Sequence, residues 1–147
     1  MSPEVPPALA AVLDGRTPAG VLPWPADRPV ADALAAAGDA GWNAAALDLA
    51  DVGDKAAFMA RCAAALDFPA YFGANWDALA DCLTDLSWCP PSRGRLLVVT
   101  GWQTYASAAP EEWGVFEQVL ADAVGYWRDT ATGLAVIMAG GRGRQGV

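Results

Sequence analysis

"LLVVTGW", residues 96–102, is an almost unbroken apolar run. A strand with one face in water would alternate polar and apolar residues. A continuous run suits a strand covered on both faces, as in a parallel sheet. Downstream, "SAAPEE" (107–112) reads as a helix start. "EEWGVFEQVLADAVGYW" (111–127) then sets Phe116, Leu120, Val124 and Trp127 at helical spacing. A second apolar run, "LAVIMAG" (134–140), follows. Upstream, "CPPSRGR" (89–95) is a turn, because two prolines and a glycine cannot continue a helix. Before it, "NWDALADCLTDLS" (75–87) is a helix capped by Asn75, with Trp76, Leu79, Leu83 and Leu86 as its apolar stripe. "DFPAYFGAN" (67–75) is a loop punctuated by Pro69 and Gly73. "DKAAFMARCAAAL" (54–66) is a helix with Asp54 at its N-cap and Phe58, Cys62 and Leu66 on one face. "NAAALDL" (43–49) is a short buried strand.

The order is strand, helix, helix, strand, helix, strand. That pattern predicts an α/β fold: a small three-stranded parallel sheet packed by helices, with right-handed crossovers. Residues 1–42 form an N-terminal extension, and its first 30 residues are rich in proline and alanine with little periodicity. Within it, "GVLPWP" (20–25) reads as a strand that Pro23 and Pro25 confine to a sheet edge. "VADALAAAG" (30–38) reads as a helix with Gly38 as its C′ residue. The extension thus offers the sheet an additional strand and helix. Residues 43–140 form the main domain, and 141–147 a flexible, mildly basic tail.

Composition narrows the function. The chain has 147 residues, 54% of them hydrophobic and 18% charged, as in one globular domain. No apolar run approaches the length of a membrane span. The N-terminus lacks a basic region followed by an apolar stretch, so a cytoplasmic location is expected. Three cysteines (Cys62, Cys82 and Cys89) without a secretory signal argue against a disulfide framework. The chain has no histidine, which removes the commonest general base and the commonest metal ligand together. Neither a metal nor a cofactor is expected, and no catalytic residue is assigned. The formal net charge of −8 should repel nucleic acid and attract basic proteins.

The helix from Asn75 concentrates that charge. Asp77, Asp81 and Asp85 fall at i, i+4 and i+8, opposite the apolar stripe. Asp77 lies in the first turn, where the helix dipole favours it. The other two gain nothing there, and like charges at i, i+4 cost about 0.2–0.5 kcal/mol per pair. A solvated face tolerates that repulsion, because salt screens exposed charge. The preceding "AYFGAN" adds Tyr71 and Phe72 beside Gly73, and aromatic residues beside charges make a hot-spot composition. A docking surface for a strongly basic partner is therefore expected. A catalytic carboxylate pair is not, because residues on one exposed helix face enclose no cleft. Cys82 should point inward. Trp76, Trp113 and Trp127 should be core or boundary residues, with Trp88 and Trp102 at the edge of the binding face.

The run "FPAYFGANWDALADCLTD" (68–85) resembles the barstar family, intracellular inhibitors of the ribonuclease barnase. The likeness extends more weakly over residues 43–139, in the order and lengths of the elements. The resemblance implies a small parallel sheet packed by helices and an inhibitor without enzymatic activity. It places Asp81 where the family's aspartate enters the ribonuclease active site, in the position of a substrate phosphate. Asp77 matches the second aspartate of that helix and Tyr71 the aromatic that packs on the enzyme. Gly73, Asn75 and Thr84 match flanking contacts. A later helix supplies a further acidic residue, Asp122 or alternatively Glu117. Asp85 and Leu86 stand where the family has glycine and tryptophan; Ala74 replaces an acidic residue and Ala80 a tryptophan. The expected partner is a basic barnase-like ribonuclease or ribonuclease toxin. The alternative is an orphan module that binds another basic protein.

Overall fold

Leu97 and Val99 point to one side of their strand, Leu96 and Val98 to the other, and all four are buried. That strand is the centre of the structure, a computed structural model that describes residues 6–24, 28–68, 75–85, 93–128, 130 and 132–139. In chain order the elements are α1 (Pro7–Leu13), β1 (Val21–Trp24), α2 (Val30–Asp39), β2 (Asn43–Asp48) and α3 (Lys55–Leu66). They continue with α4 (Trp76–Asp85), β3 (Gly94–Thr100), α5 (Gln103–Ala108), α6 (Pro110–Arg128) and β4 (Gly133–Ala139). The four strands lie in the order β1-β4-β3-β2 and all pairs are parallel. The core of three strands is as the apolar runs predict. The fourth is β1, at the edge beside β4, where Pro23 costs the sheet no interior hydrogen bond.

Helices cover both faces. On one, α3, α4, α5 and α6 pack over Leu47, Leu97, Val99, Leu134 and Val136. On the other, α1 and α2 pack over Leu96, Val98, Ala135 and Ile137, with Trp24 and Trp42 closing the ends. Phe58 is completely buried at the centre of the first layer. Its ring lies 4.7 Å from Phe116, 5.2 Å from Tyr105 and 5.4 Å from Trp76 between centroids. Burying one such side chain is worth about 1.5–3 kcal/mol before the packing of ring on ring is added.

Several local expectations change. The helix α2 runs through Gly38 to Asp39, with Ala40 as its C-cap; Gly41, at φ +83°, takes the left-handed position instead. Two helices, α1 and α5, stand where no helix is expected from the sequence pattern. Pro7 opens α1, a place where a missing N–H costs nothing. β3 begins at Gly94 and ends at Thr100, so Trp102 caps α5 rather than ending the strand. Gly101, at φ +63°, brings the chain so close to the turn after β2 that a Cβ would lie 2.7 Å from the Ala50 nitrogen.

Candidate protein-binding site

The position of α4 is set from both ends. Asn75 caps it, its side-chain oxygen accepting from the Ala78 N–H at 2.8 Å. Trp76 packs its ring on Phe58 and Phe116, and its indole N–H donates to Glu112 of α6 at 2.8 Å. At the far end, the Trp127 indole of α6 donates to the Leu83 carbonyl at 2.6 Å. Leu79, Cys82 and Leu83 are buried beneath the helix. With that face locked down, one turn of the wheel fixes where the aspartates go.

Asp77, Asp81 and Asp85 are all exposed. Among the described residues none of the three carboxylates has an ion-pair partner; the pairs found there are Arg16 with Asp14 and Arg61 with Asp51. The carboxylates act on their neighbour all the same. Burial pushes the Cys82 thiol above its ordinary value, and the charges of Asp85 and Asp81 push it further in the same direction. Cys82 points inward, as expected. Thr84 is half-buried on the aspartate side, its hydroxyl 3.0 Å from the Ala80 carbonyl and 3.3 Å from that of Asp81. Asp85 is the last residue of α4, where the negative end of the helix dipole disfavours a carboxylate.

On α6 both candidate acids are exposed. They lie on different flanks. Glu117 follows Trp113 by four residues and shares the side turned to α5, where Trp113 stacks on Trp102 at 5.2 Å and meets Tyr105 edge-on at 6.3 Å. Asp122 lies on the outer side between Val119 and Tyr126, accepting from the Gln118 amide at 2.9 Å. Tyr71 and Gly73 fall outside the described residues, as do Phe72, Leu86, Trp88 and Cys89. Trp76 and Trp127 are half-buried and Trp113 is buried.

Clefts are present among the described residues. One of about 250 Å³ lies beside β2, under Leu66 and Leu83; another of about 490 Å³ lies between Arg16, Trp42 and Arg128. Neither is lined by an aspartate of α4. Among the described residues no three His, Cys, Asp or Glu side chains converge as a metal site requires, and no helix is long and apolar enough to cross a membrane.

Parallel sheet, braced helix and outward acidic stripe together define an α/β protein with a charged helical face of fixed geometry. Residues 42–139, about two thirds of the chain, match the family model for barstar, described as the barnase inhibitor, and the chain belongs to that family. No curated protein matches the chain. The match begins at Trp42, just before β2, so α1, β1 and α2 lie outside it.

Three residues of this region escape a reading of the sequence. Glu112 takes the Trp76 indole, and Val115 and Tyr126 stand exposed on α6. The spacing of Tyr126 from Asp122 was visible, but not the flank of α6 against which α4 lies.

Proposed function

We propose that this protein binds a basic barnase-like ribonuclease and occludes its active site with α4. Asp81 enters among the arginine and lysine side chains that otherwise hold substrate phosphate. Asp77 and Asp85 extend the negative surface on either side, and Asn75 and Thr84 flank it. Asp122 adds a charge from α6, and Tyr71 and Gly73 border the rim. No covalent chemistry is needed; the carboxylate displaces the phosphate, and the bulk of the fold blocks the rest of the cleft. The observation that carries the reading is the row of three exposed aspartates without ion-pair partners among the described residues, on a helix braced at both ends. Such a row repels itself until a cationic surface neutralises it. Complementary charge then raises the association rate and excludes wrong partners. Barnase and barstar are themselves the standing example of that effect, and its measured size belongs to that pair.

The experiment is inhibition of barnase cleavage of RNA by this protein, at low and at moderate salt. Stoichiometric inhibition that weakens as salt rises supports the reading. Binding to basic proteins with no loss of nuclease activity would favour an orphan docking module instead. We place the encounter in the cytoplasm of the producing cell, where an antitoxin would meet its ribonuclease.

A further inference from the structure

Large apolar side chains are exposed at only three places among the described residues: Val21 at 49%, Val115 at 39% and Tyr126 at 52%. Two of the three are on α6. With half-buried Val119 and exposed Asp122 between them, they follow at i, i+4, i+7 and i+11, which is one continuous stripe. The packing fixes where that stripe faces. Helix α5 occupies the flank of α6 that carries Trp113, through Trp102 and Tyr105. Helix α4 occupies the opposite flank, where Glu112 receives the Trp76 indole. Val119, two turns on from Glu112, is on that same flank and packs against the core beneath. The stripe therefore runs along the outer side of α6 next to α4, continuous with the aspartate face.

Tyr126 is the firmest part of it. Its ring stands edge-on to Trp127, with centroids 5.3 Å apart and planes at 88°. Trp127 is itself tied to the Leu83 carbonyl of α4 and lies beneath the Arg95 guanidinium, 5.2 Å from its ring. A tyrosine held this way costs little entropy when it is buried by a partner, and tyrosine is among the residues that dominate interface energies. The exposed apolar area beside a charged face has the anatomy of an interface core bordered by a polar rim.

We infer that the α6 stripe is the apolar half of the docking surface, with Tyr126 as its aromatic anchor and Val115 at its far end. The occupant is the same basic ribonuclease, so the inference rests on the function proposed above. The two halves divide the work. The α4 carboxylates and Asp122 steer and select, and the apolar side chains of the α6 stripe add affinity that salt does not screen. The partner should accordingly carry an apolar patch beside its cationic cleft.

The test is calorimetric titration of barnase with the wild-type protein, Tyr126→Ala, Tyr126→Phe, Val115→Ala and Asp81→Ala, each at low and at moderate salt. Tyr126→Ala should weaken binding about tenfold, by the same factor at both salt concentrations. Tyr126→Phe should bind as the wild type does, because the ring and not the hydroxyl makes the contact. Val115→Ala should weaken binding less than Tyr126→Ala. The loss caused by Asp81→Ala should shrink as salt rises. Tyr126→Phe and Val115→Ala should melt close to the wild type, and Tyr126→Ala, which loses the edge-on contact with Trp127, should stay folded and melt only a few degrees lower. If Asp81→Ala weakens binding while Tyr126→Ala and Val115→Ala do not, the stripe is no part of the surface and the proposed function stands. If Asp81→Ala changes nothing, or the wild type does not bind, both readings are overturned.

Discussion

The two helical layers of the sheet are built from different side chains. Over one face, Phe58, Trp76, Tyr105, Trp113 and Phe116 form a connected group of rings. Over the other, α2 buries Ala33, Ala36 and Ala37, and α1 buries Leu9, Val12 and Leu13. Small alanines let a helix lie close to the sheet but fix its rotation weakly. Interlocked rings and two indole hydrogen bonds fix α4 against rotation and sliding. The charged face sits on the braced layer, while the family match excludes α1 and α2. Binding that depends on placing a carboxylate among guanidinium groups needs a scaffold that does not yield when the charges meet.

That contrast breaks if the layers respond alike to truncation. Phe58→Ala should cost about 3–5 kcal/mol of stability, because a fully buried ring leaves a cavity among three others. Ala37→Gly, equally buried in α2, should cost only about 1–2 kcal/mol, from helix propensity and one methyl group. Urea denaturation at neutral pH separates the two. Equal costs would mean that the second layer is as tightly fitted as the first.

Next in size is a pH effect confined to the braced layer. Burial pushes the Cys62 thiol from 9.0 up to about 12. The folded state therefore keeps a proton that the unfolded chain releases above pH 9, and stability falls as pH rises from about 9 towards 12. From this thiol alone the loss between pH 8 and pH 10 should be about 1.4 kcal/mol. Burial, first of all, also raises Cys82 and Tyr105, so their contributions have the same sign. Urea midpoints of the wild type and Cys62→Ala across that range check it; the variant should show a shallower decline.

The smallest expected effect has the opposite sign. Asp85 repels Asp81 one turn back and opposes the helix dipole. Asp85→Asn should therefore raise stability by roughly 0.5 kcal/mol while slowing association with barnase. A loss of stability would show that Asp85 serves the fold.

The sheet was legible because β3 and β4 are nearly pure apolar runs, and Pro23 announced an edge. Helix α1 was hidden by its alanine-rich sequence and proline start, and α5 by having one buried anchor, Tyr105, in six residues. The outward direction of the aspartates followed from the stripe of Trp76, Leu79 and Leu83. What the spacing left open was how α4 and α6 face one another. That depends on the Trp76–Glu112 and Trp127–Leu83 hydrogen bonds, which join residues 36 and 44 positions apart. For the same reason the sequence kept Glu117 as an alternative to Asp122, although α5 flanks Glu117 and the outer stripe beside α4 contains Asp122.

If the proposed function holds, Asp81 is kept for a partner and not for the fold. Asp81→Ala decides the matter when it is measured twice, by calorimetric titration against barnase and by urea denaturation. The expected result is an affinity loss of at least about 2 kcal/mol, roughly thirtyfold, with stability unchanged or a few tenths of a kcal/mol higher. Unchanged affinity, or an affinity loss matched by an equal loss of stability, would refute that role for Asp81.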